Sequence, residues 1–306
     1  MRFPAFALGL VAASIAAAQF PSPTLSGNTT RISDHVHVIM GFPNIVIVPG
    51  DRATLVIDTG LGPSNGATAA RVAKKLSKAQ RLYLTTTHFH PEHAAGEAGF
   101  PPETLLIRDA VQQQELIEHG AELLAMFNRL SPEYAALLKG VDKLRMPDVT
   151  FDHELTLDLG GATARLMWLG AAHTKGDELI LVEPDGVLIS GDVVQNKVVP
   201  GVAGEGGSFA SWTTVLNELA ALKPRYVIPD HSRPGDGSLI AQEQAFILDL
   251  RSRTLALKKN GLSVADAGKR LTDDFKVAYP EWANNPDWPN LTSVPGFVRE
   301  VYAEDK

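Results

Sequence analysis

A run of three histidines and one glutamate within six residues is the feature that most constrains this chain. The run follows the apolar, strand-like segment 81–87 and reads His88-Phe89-His90-Pro91-Glu92-His93. Alternate side chains of a strand point the same way, so His88 and His90 are expected to face together, and the proline turn brings Glu92 and His93 back toward them. Crowding three imidazoles and a carboxylate at one strand end is costly unless a cation organises them. The run therefore predicts a metal site.

Three more ligand-type residues stand where other apolar segments end. His173 lies in the turn-rich stretch 170–177, Asp192 follows Ile189-Ser190-Gly191, and His231 follows Ile228-Pro229-Asp230. Each position is the carboxyl end of a predicted strand, where open α/β sheets place their sites. We expect these residues to join the histidine run. The other histidines are predicted to be structural or solvated; they are His35, His37, His119 and His153.

Short apolar segments alternate with turns and helices along the chain. Strands are predicted at 36–40, 44–48, 54–58, 81–87, 149–151, 155–159, 163–169, 179–183, 187–190 and 226–229. Helices are predicted at 67–79, 109–140, 208–222 and 238–274, with breaks at Ser131-Pro132 and at Gly261-Leu262-Ser263. The segment 109–140 is interpreted as core packing in preference to a lid over the site. This order of elements predicts sheets covered by helices, in the α/β (α+β) class.

Composition excludes some kinds of function. The 306 residues carry a formal net charge of -7 and a pI near 5.7, which argues against a nucleic-acid surface or a polybasic membrane patch. The chain has no cysteine, so disulfides, zinc ribbons and thiol nucleophiles are excluded. A small-molecule substrate is the expected partner, and nothing in the composition indicates an oligomeric state.

The first 18 residues have the pattern of a secretory signal peptide. Arg2 precedes an uncharged apolar run that ends in Ala16-Ala17-Ala18. The alternative is a membrane anchor, which needs about 20 apolar residues, and this run is shorter. We therefore expect cleavage near Ala18 and a periplasmic or secreted protein with no membrane attachment. The expected division is a signal peptide at 1–18, a catalytic domain at 19–235, and a C-terminal helical extension at 236–306 packed on the same domain.

The ordered set of motifs resembles that of the metallo-β-lactamase superfamily over roughly residues 35–235. The superfamily pattern is an Asp after a hairpin strand, a His-x-His-x-Asp-His run, and His, Asp and His at later strand ends. Its counterparts here are Asp58, the run 88–93, His173, Asp192 and His231. The resemblance implies a four-layer αββα sandwich with two metal ions at one edge, between the sheets.

The same resemblance implies a role for each residue. It assigns His88, His90 and His173 to the first metal, and Glu92, His93 and His231 to the second. It implies that Asp192 bridges the two ions and that Asp58 braces the ligand loop without binding metal. Zinc is the expected metal, with iron or manganese as alternatives.

Glu92 departs from the superfamily pattern, which usually has Asp at this position. The carboxylate is kept but is one methylene longer, so an oxygen ligand survives while the affinity or identity of the second metal is open to change. Two interpretations follow. Either Glu92 binds the second ion, which we favour, or only a single ion is bound tightly.

The expected activity is that of an exported metal-dependent hydrolase. Two ions about 3.5–4 Å apart lower the pKa of a shared water, so a metal-bound hydroxide would cleave a small ester, lactone, thioester or amide. Asp192 is the expected catalytic residue, because it would position that hydroxide. The alternatives are a metallo-β-lactamase acting on β-lactam antibiotics, an iron-dependent oxygenase, and a non-catalytic metal-storage protein. Lactam-opening members usually have Cys or Ser where this chain has Asp192, which disfavours the first.

Overall fold

Two sheets lie face to face at the centre of the protein. The computed structural model describes residues 22–201, 206–287, 291 and 293–304. The first sheet has seven strands in sequence order. They are β1 (Thr29–Arg31), β2 (His37–Ile39), β3 (Ile45–Pro49), β4 (Ala53–Ile57), β5 (Arg81–Thr85), β6 (Leu105–Asp109) and β7 (Val149–Phe151). The pairs from β1 to β4 are antiparallel, and those from β4 to β7 are parallel.

The second sheet has six strands in the order β13-β12-β11-β10-β9-β8. Its strands are β8 (Glu154–Asp158), β9 (Thr163–Trp168), β10 (Glu178–Glu183), β11 (Val187–Gly191), β12 (Tyr226–Pro229) and β13 (Gly235–Asp236). Only the pair β11–β12 is parallel among these strands, because a helix, α5 (Phe209–Ala221), carries the chain from one to the other.

Helices cover the outer face of each sheet. They are α1 (Pro63–Leu76), α2 (Pro91–Ala94), α3 (Ala110–Phe127), α4 (Pro132–Leu137), α5 (Phe209–Ala221), α6 (Ser238–Lys259), α7 (Val264–Ala278), α8 (Pro280–Ala283) and α9 (Val294–Glu304), with a 3₁₀ turn at Glu97–Gly99. None of the helices in the described ranges is long and apolar enough to cross a membrane.

The alternation of side chains along the strands builds the layers. In β4, Leu55 and Ile57 join the core between the two sheets, whereas Val56 faces α1. On the far side, α5, α6, α7 and α9 share one buried cluster with the outer face of the second sheet. The result is the predicted four-layer αββα sandwich, in which the C-terminal helices pack on the same body as the sheets.

The predicted elements agree with the structure at most positions, and three differences have clear causes. Strand β6 was not predicted, because a short apolar run buried in a parallel sheet shows no alternation and here includes the buried Arg108. Helix α1 begins at Pro63 rather than residue 67, since proline at the first helical position needs no N–H partner. The short strand β1 was also not predicted, because it lies in the segment 19–33, which is rich in Pro, Ser, Thr and Gly.

The helical predictions for the later chain agree with the structure. The predicted break at Gly261-Leu262-Ser263 separates α6 from α7, and the Ser263 Oγ at the start of α7 accepts a hydrogen bond of 3.1 Å from the Asp266 N–H. The segment 109–140 is broken at Ser131-Pro132 as predicted, and its helices bury Leu123 and Phe127 in a core cluster. The signal-peptide prediction for 1–18 lies outside the described residues.

Candidate metal centre

The first group of predicted ligands forms at the carboxyl end of β5. The Nε2 of His88 and the Nδ1 of His90 are 3.1 Å apart. His173, from the loop after β9, brings a third ring nitrogen, and one ligand atom from each of the three residues lies within 4.8 Å of the others. Tetrahedral coordination at 2.0–2.1 Å places ligand nitrogens about 3.3 Å apart, so the spacing suits a shared ion.

The second group joins the short helix α2 to the end of β12. Pro91 starts the helix at its first position, and this turn directs Glu92 and His93 to the same side. His231 comes from the loop after β12, and ligand atoms of Glu92, His93 and His231 also lie within 4.8 Å of one another. The ring of Phe42, in the β2–β3 loop, packs 4.2 Å from that of His231. Among the described residues, four groups of possible ligand atoms are this close; two are the trios that the resemblance implies, and the others are His88, His93 and Asp192, and Asp58, His93 and Asp230.

Asp192 lies between the two groups at the end of β11. Its Oδ2 is 3.5 Å from His173 Nε2, and its Oδ1 is 3.4 Å from His231 Nε2. One oxygen of the carboxylate therefore faces each group, which is the geometry of a bridging ligand. The Gln195 amide donates a hydrogen bond of 2.9 Å to Asp192 Oδ1 and holds the carboxylate in this orientation.

Asp58 braces the ligand loop, as the resemblance implied. Its Oδ1 accepts a hydrogen bond of 2.7 Å from the Thr87 N–H, and its Oδ2 lies 3.1 Å from His93 Nδ1. Asp58 has a φ of 65°, an unusual value for a residue other than glycine, and it turns the side chain toward the ligand loop. With its Nδ1 held in this way, His93 directs Nε2 to the second group.

Sequence reasoning missed several groups that support the ligands. Asp230 Oδ2 lies 2.9 Å from Thr87 Oγ1 and 3.3 Å from His93 Nδ1. Its only signal in the sequence is its position beside His231. Glu115, on α3, accepts hydrogen bonds from the N–H groups of Lys175 and Gly176 at 2.9 and 2.7 Å and so holds the loop that carries His173. No local pattern predicts such a contact, because 60 residues separate Glu115 from Lys175.

Burial sets the protonation of the candidate ligands. Burial, followed by the neighbouring histidines, lowers the pKa of His88 and His90 well below the ordinary value, and burial lowers that of His231 to about 4. Burial would also lower the pKa of His93, but Asp58 and Asp230 outweigh it and raise it well above the ordinary value. Neutral imidazoles are the form that binds metal.

The two carboxylates of the site shift in opposite directions. Burial raises the pKa of Glu92 to about 7, against the opposing effect of His93. For Asp192, burial acts in the same direction, but His231 and His173 outweigh it and hold the pKa below its ordinary value. Asp192 is therefore ionised at neutral pH and carries the negative charge that two cations would share.

The donor set fits a metal pair. Among the described residues, several buried polar atoms of the site make no hydrogen bond, although a buried polar atom ordinarily has a partner. They include three atoms that face the candidate ion positions, His93 Nε2, His173 Nε2 and Glu92 Oε2. A divalent ion accepts lone pairs from all three, and imidazole and carboxylate are the ligands that zinc prefers.

The remaining histidines lie outside these groups. His35 pairs with Asp185 at 2.8 Å, and His153 stacks on Trp168 with ring centroids 5.6 Å apart. Neither contact involves a candidate ligand, in agreement with a structural role.

A known protein family matches the part of the chain that carries the candidate ligands. A family model described as "Metallo-beta-lactamase superfamily" matches residues 39–231, a range that includes Asp58 and every candidate ligand. The chain belongs to the metallo-β-lactamase superfamily. This superfamily consists of metal-dependent hydrolases that typically bind divalent ions, and the αββα sandwich found here is its fold.

Two kinds of superfamily member are similar to this chain. A metallo-β-lactamase structure from Pontibacter korlensis has a TM-score of 0.56 and 20% identity, covering 72% of this chain and 98% of its own. The sec-alkylsulfatase Pisa1 from Pseudomonas sp. has a TM-score of 0.68 and 15% identity, covering 90% of this chain and 50% of its own.

A protein related in sequence is also an alkylsulfatase. The linear primary-alkylsulfatase from Pseudomonas sp. (strain ATCC 19151) is 24% identical over 292 residues, which cover 85% of this chain and 53% of that protein. The chain thus spans about half the length of the alkylsulfatases that it matches.

Proposed function

We propose that this chain is a hydrolase of small esters or related carbonyl compounds and that it uses two divalent metal ions, with zinc as the expected metal. The observation that carries the proposal is the orientation of Asp192. This carboxylate offers one oxygen to the trio His88, His90 and His173 and the other to the trio Glu92, His93 and His231. If only one ion were bound tightly, the side chains of Glu92, His93 and His231 would be buried together without a ligand and without a role.

The residues of the chain divide the work between binding and orientation. His173 donates its Nδ1 hydrogen to the Gly201 carbonyl at 2.7 Å, which leaves the Nε2 lone pair for an ion. Asp58 and Asp230 hold His93 in the same manner from the other side. Gln195 fixes the Asp192 carboxylate, so this group does not have to reorient during turnover. When bound, the two ions supply an activated water and polarise the substrate oxygen.

The test combines metal content with turnover. We expect wild-type protein to bind two equivalents of zinc by plasma emission analysis, and to hydrolyse at least one member of a panel of aryl esters, lactones and thioesters. We expect Asp192→Ala to lose at least one equivalent and to lower kcat/KM by about 10²-fold or more. Exposed Asp266→Ala is the matched control. Unchanged turnover of Asp192→Ala would exclude the two-ion proposal.

Cleavage of alkyl sulfate esters is the second candidate activity, favoured by how far the matches extend. Residues 1–235 make up about 77% of the chain. The alkylsulfatase structure covers 90% of the chain, so its match extends into the C-terminal helices, whereas the metallo-β-lactamase structure covers 72%. Decyl sulfate therefore belongs in the panel, with sulfate release as the measurement.

Two further activities are outcomes of the same panel. Hydrolysis of a chromogenic cephalosporin at a higher kcat/KM than any other substrate would assign the chain to β-lactam hydrolysis. Protein isolated with iron and no zinc, and active only in the presence of oxygen, would assign it to the oxygenase alternative.

Export belongs to the proposal as well. The signal-peptide pattern at 1–18 supports a periplasmic or secreted protein. N-terminal sequencing of protein from the periplasm or medium of the native host tests it: we expect the mature chain to begin near Gln19, and a chain that begins at Met1 would contradict cleavage of the signal peptide.

A further inference from the structure

A cleft lies on the face of the first sheet that α1 covers, away from the candidate metal centre. It has a volume of about 860 Å³, within the range of small-molecule sites. The second half of α1 forms one wall and the segment 99–104 forms the other, with Thr54 and Leu82 below. None of the seven candidate metal ligands lines it.

The packing of α1 explains why the cleft exists. At the start of α1, a β-carbon on Gly66 would collide with the Gly96 carbonyl. Likewise, a β-carbon on Gly99, in the neighbouring segment, would collide with the Pro63 carbonyl of the helix. The backbones are therefore in direct contact there. Farther along, the inner side of α1 presents only small residues at Ala70 and Ala73. These side chains are too short to fill the space above the sheet.

Two hydroxyl groups at the cleft are buried and unsatisfied. Within the described part of the chain, Thr54 Oγ1 and Thr104 Oγ1 make no hydrogen bond, and the two residues are 2% and 0% exposed. In the sheet, Thr54 of β4 is paired with Leu82 of β5. Thr104 lies on the other side of Leu82, because the next residue, Leu105 of β6, is paired with Tyr83. The two threonines thus flank Leu82, about 10 Å apart across two strand spacings. A buried hydroxyl without a partner requires an explanation, and a ligand with polar atoms supplies one.

The rim of the cleft is positively charged. Arg71, Lys74 and Lys78 line it, and Glu103 is the acidic residue among the lining side chains. The surrounding sequence from residue 59 to residue 91 contains no Asp or Glu, in a chain with a net charge of -7. Such a local reversal of charge attracts anions. The apolar lining residues Leu82 and Phe100 suit a hydrocarbon group.

We propose that this cleft binds a small organic anion with an apolar body, of the medium-chain carboxylate class. The carboxylate lies between the basic side chains and the Thr54 hydroxyl, which donates to one of its oxygens, and the apolar body lies against Leu82 and Phe100. The cleft lies at the amino ends of β4, β5 and β6, whereas the metal ligands lie at the carboxyl ends of their strands. The proposal is therefore independent of the proposed hydrolase activity.

Calorimetric titration of the zinc-loaded protein with octanoate tests it, and the lysine variants below separate binding at the cleft from binding of the carboxylate at the metal centre. We expect octanoate to bind at one site, and 1-octanol and octylammonium to bind at least about tenfold more weakly. Equal binding of the three compounds would overturn the proposal. Binding of anionic phosphatidylglycerol vesicles without binding of monomeric octanoate would also overturn it, in favour of a membrane surface.

Two lysines of α1 provide a matched pair of variants. Lys74 and Lys75 are both exposed, but only Lys74 lines the cleft. We expect Lys74→Glu to weaken octanoate binding about fivefold or more and Lys75→Glu to change it less than about twofold. Equal effects of the two variants would overturn the proposal.

Thr54→Val tests the floor of the cleft by two measurements. Removal of an unsatisfied buried hydroxyl should leave the Tm unchanged or raise it, while the loss of a hydrogen bond to the ligand should weaken octanoate binding about threefold or more. Unchanged affinity in a variant of normal Tm would overturn the proposed binding mode.

Discussion

Two buried carboxylates share one nitrogen of His93. Asp58 Oδ2 and Asp230 Oδ2 lie 3.1 and 3.3 Å from His93 Nδ1, and Thr87 Oγ1 lies 2.9 Å from each of the two oxygens. Burial, followed by the charge of Asp58, raises the pKa of Asp230 well above its ordinary value. Together the two acids orient His93 more firmly than either alone, and this orientation presents Nε2 to the second trio.

Replacement of Asp230 should weaken binding of the second metal ion without unfolding the protein. Asp230→Asn keeps an oxygen for the Thr87 hydroxyl, so we expect about tenfold weaker zinc binding, whereas Asp230→Ala should weaken it up to about 100-fold. Competition with a chromophoric chelator measures the affinity directly. Wild-type affinity in both variants would remove Asp230 from the support of His93.

Glu92 offers a second test at the residue scale. Its Oε2 is buried without a hydrogen bond, and burial raises its pKa to about 7, so the longer side chain reaches the second trio at an electrostatic cost. Glu92→Asp withdraws the oxygen by one methylene, and we expect the second zinc to bind about tenfold more weakly while the first is unaffected. Stepwise chelator titration separates the two. Unchanged binding of the second ion would show that Glu92 does not ligate in the wild type.

At the scale of elements, α3 supports the loop that carries His173. Glu115 accepts hydrogen bonds from two N–H groups of that loop, and the Gln112 amide donates to the Thr86 carbonyl at 2.8 Å. Gly176 lies against the Gln112 backbone, where a β-carbon would collide. The helix thus fixes the distance between the histidine run and His173.

Glu115→Ala should loosen that loop. We expect it to lower the affinity for the first zinc ion about tenfold and to lower the Tm, because two buried N–H groups lose their acceptor. Glu118→Ala is the control, since Glu118 is exposed on the same helix. Equal metal affinity and Tm in both variants would contradict the supporting role of α3.

At the scale of the whole molecule, the C-terminal helices reach the metal centre through one buried acid. Glu243, on α6, is fully buried and accepts a hydrogen bond of 3.4 Å from the Gln195 N–H, while the Gln195 amide holds Asp192. Burial raises the pKa of Glu243 well above 4.5. The folded protein therefore binds this proton more tightly than the unfolded chain does.

This proton makes stability depend on pH. The contribution of this protonated carboxyl group to the free energy of unfolding is fully present below pH 4.5, the pKa of an unperturbed Glu. It is lost as the pH rises through the elevated pKa of the folded state. We expect the Tm of Glu243→Gln to fall less than that of the wild type between about pH 5 and pH 8.5. Glu218→Gln, at an exposed position of α5, should follow the wild type. Parallel Tm curves for wild type and Glu243→Gln would contradict this account.

Local sequence was sufficient for much of the fold and for the candidate ligands. The alternation of apolar residues predicted β3, β4 and most later strands, and ligand-type residues at strand ends predicted which side chains would gather at the site. The division of these residues into two trios, with Asp192 between them, came from the resemblance to the superfamily. A parallel strand buried on both faces shows no such alternation, and for this reason β6 was missed. Supporting residues such as Glu115 and Asp230 were also missed, because hydrogen bonds between distant segments leave no periodic pattern in either segment.

The sequence by itself determined the chemistry available at the site, because histidine spacing and strand ends are local properties. Only the tertiary structure decided that one oxygen of Asp192 faces each trio, that Glu243 of α6 reaches Gln195, and that a basic cleft opens beside α1. These features depend on how the layers pack at distances that the chain order does not encode. The physical reason is that hydrogen bonds and cavities form between surfaces, and surfaces exist only once the sheets and helices have come together.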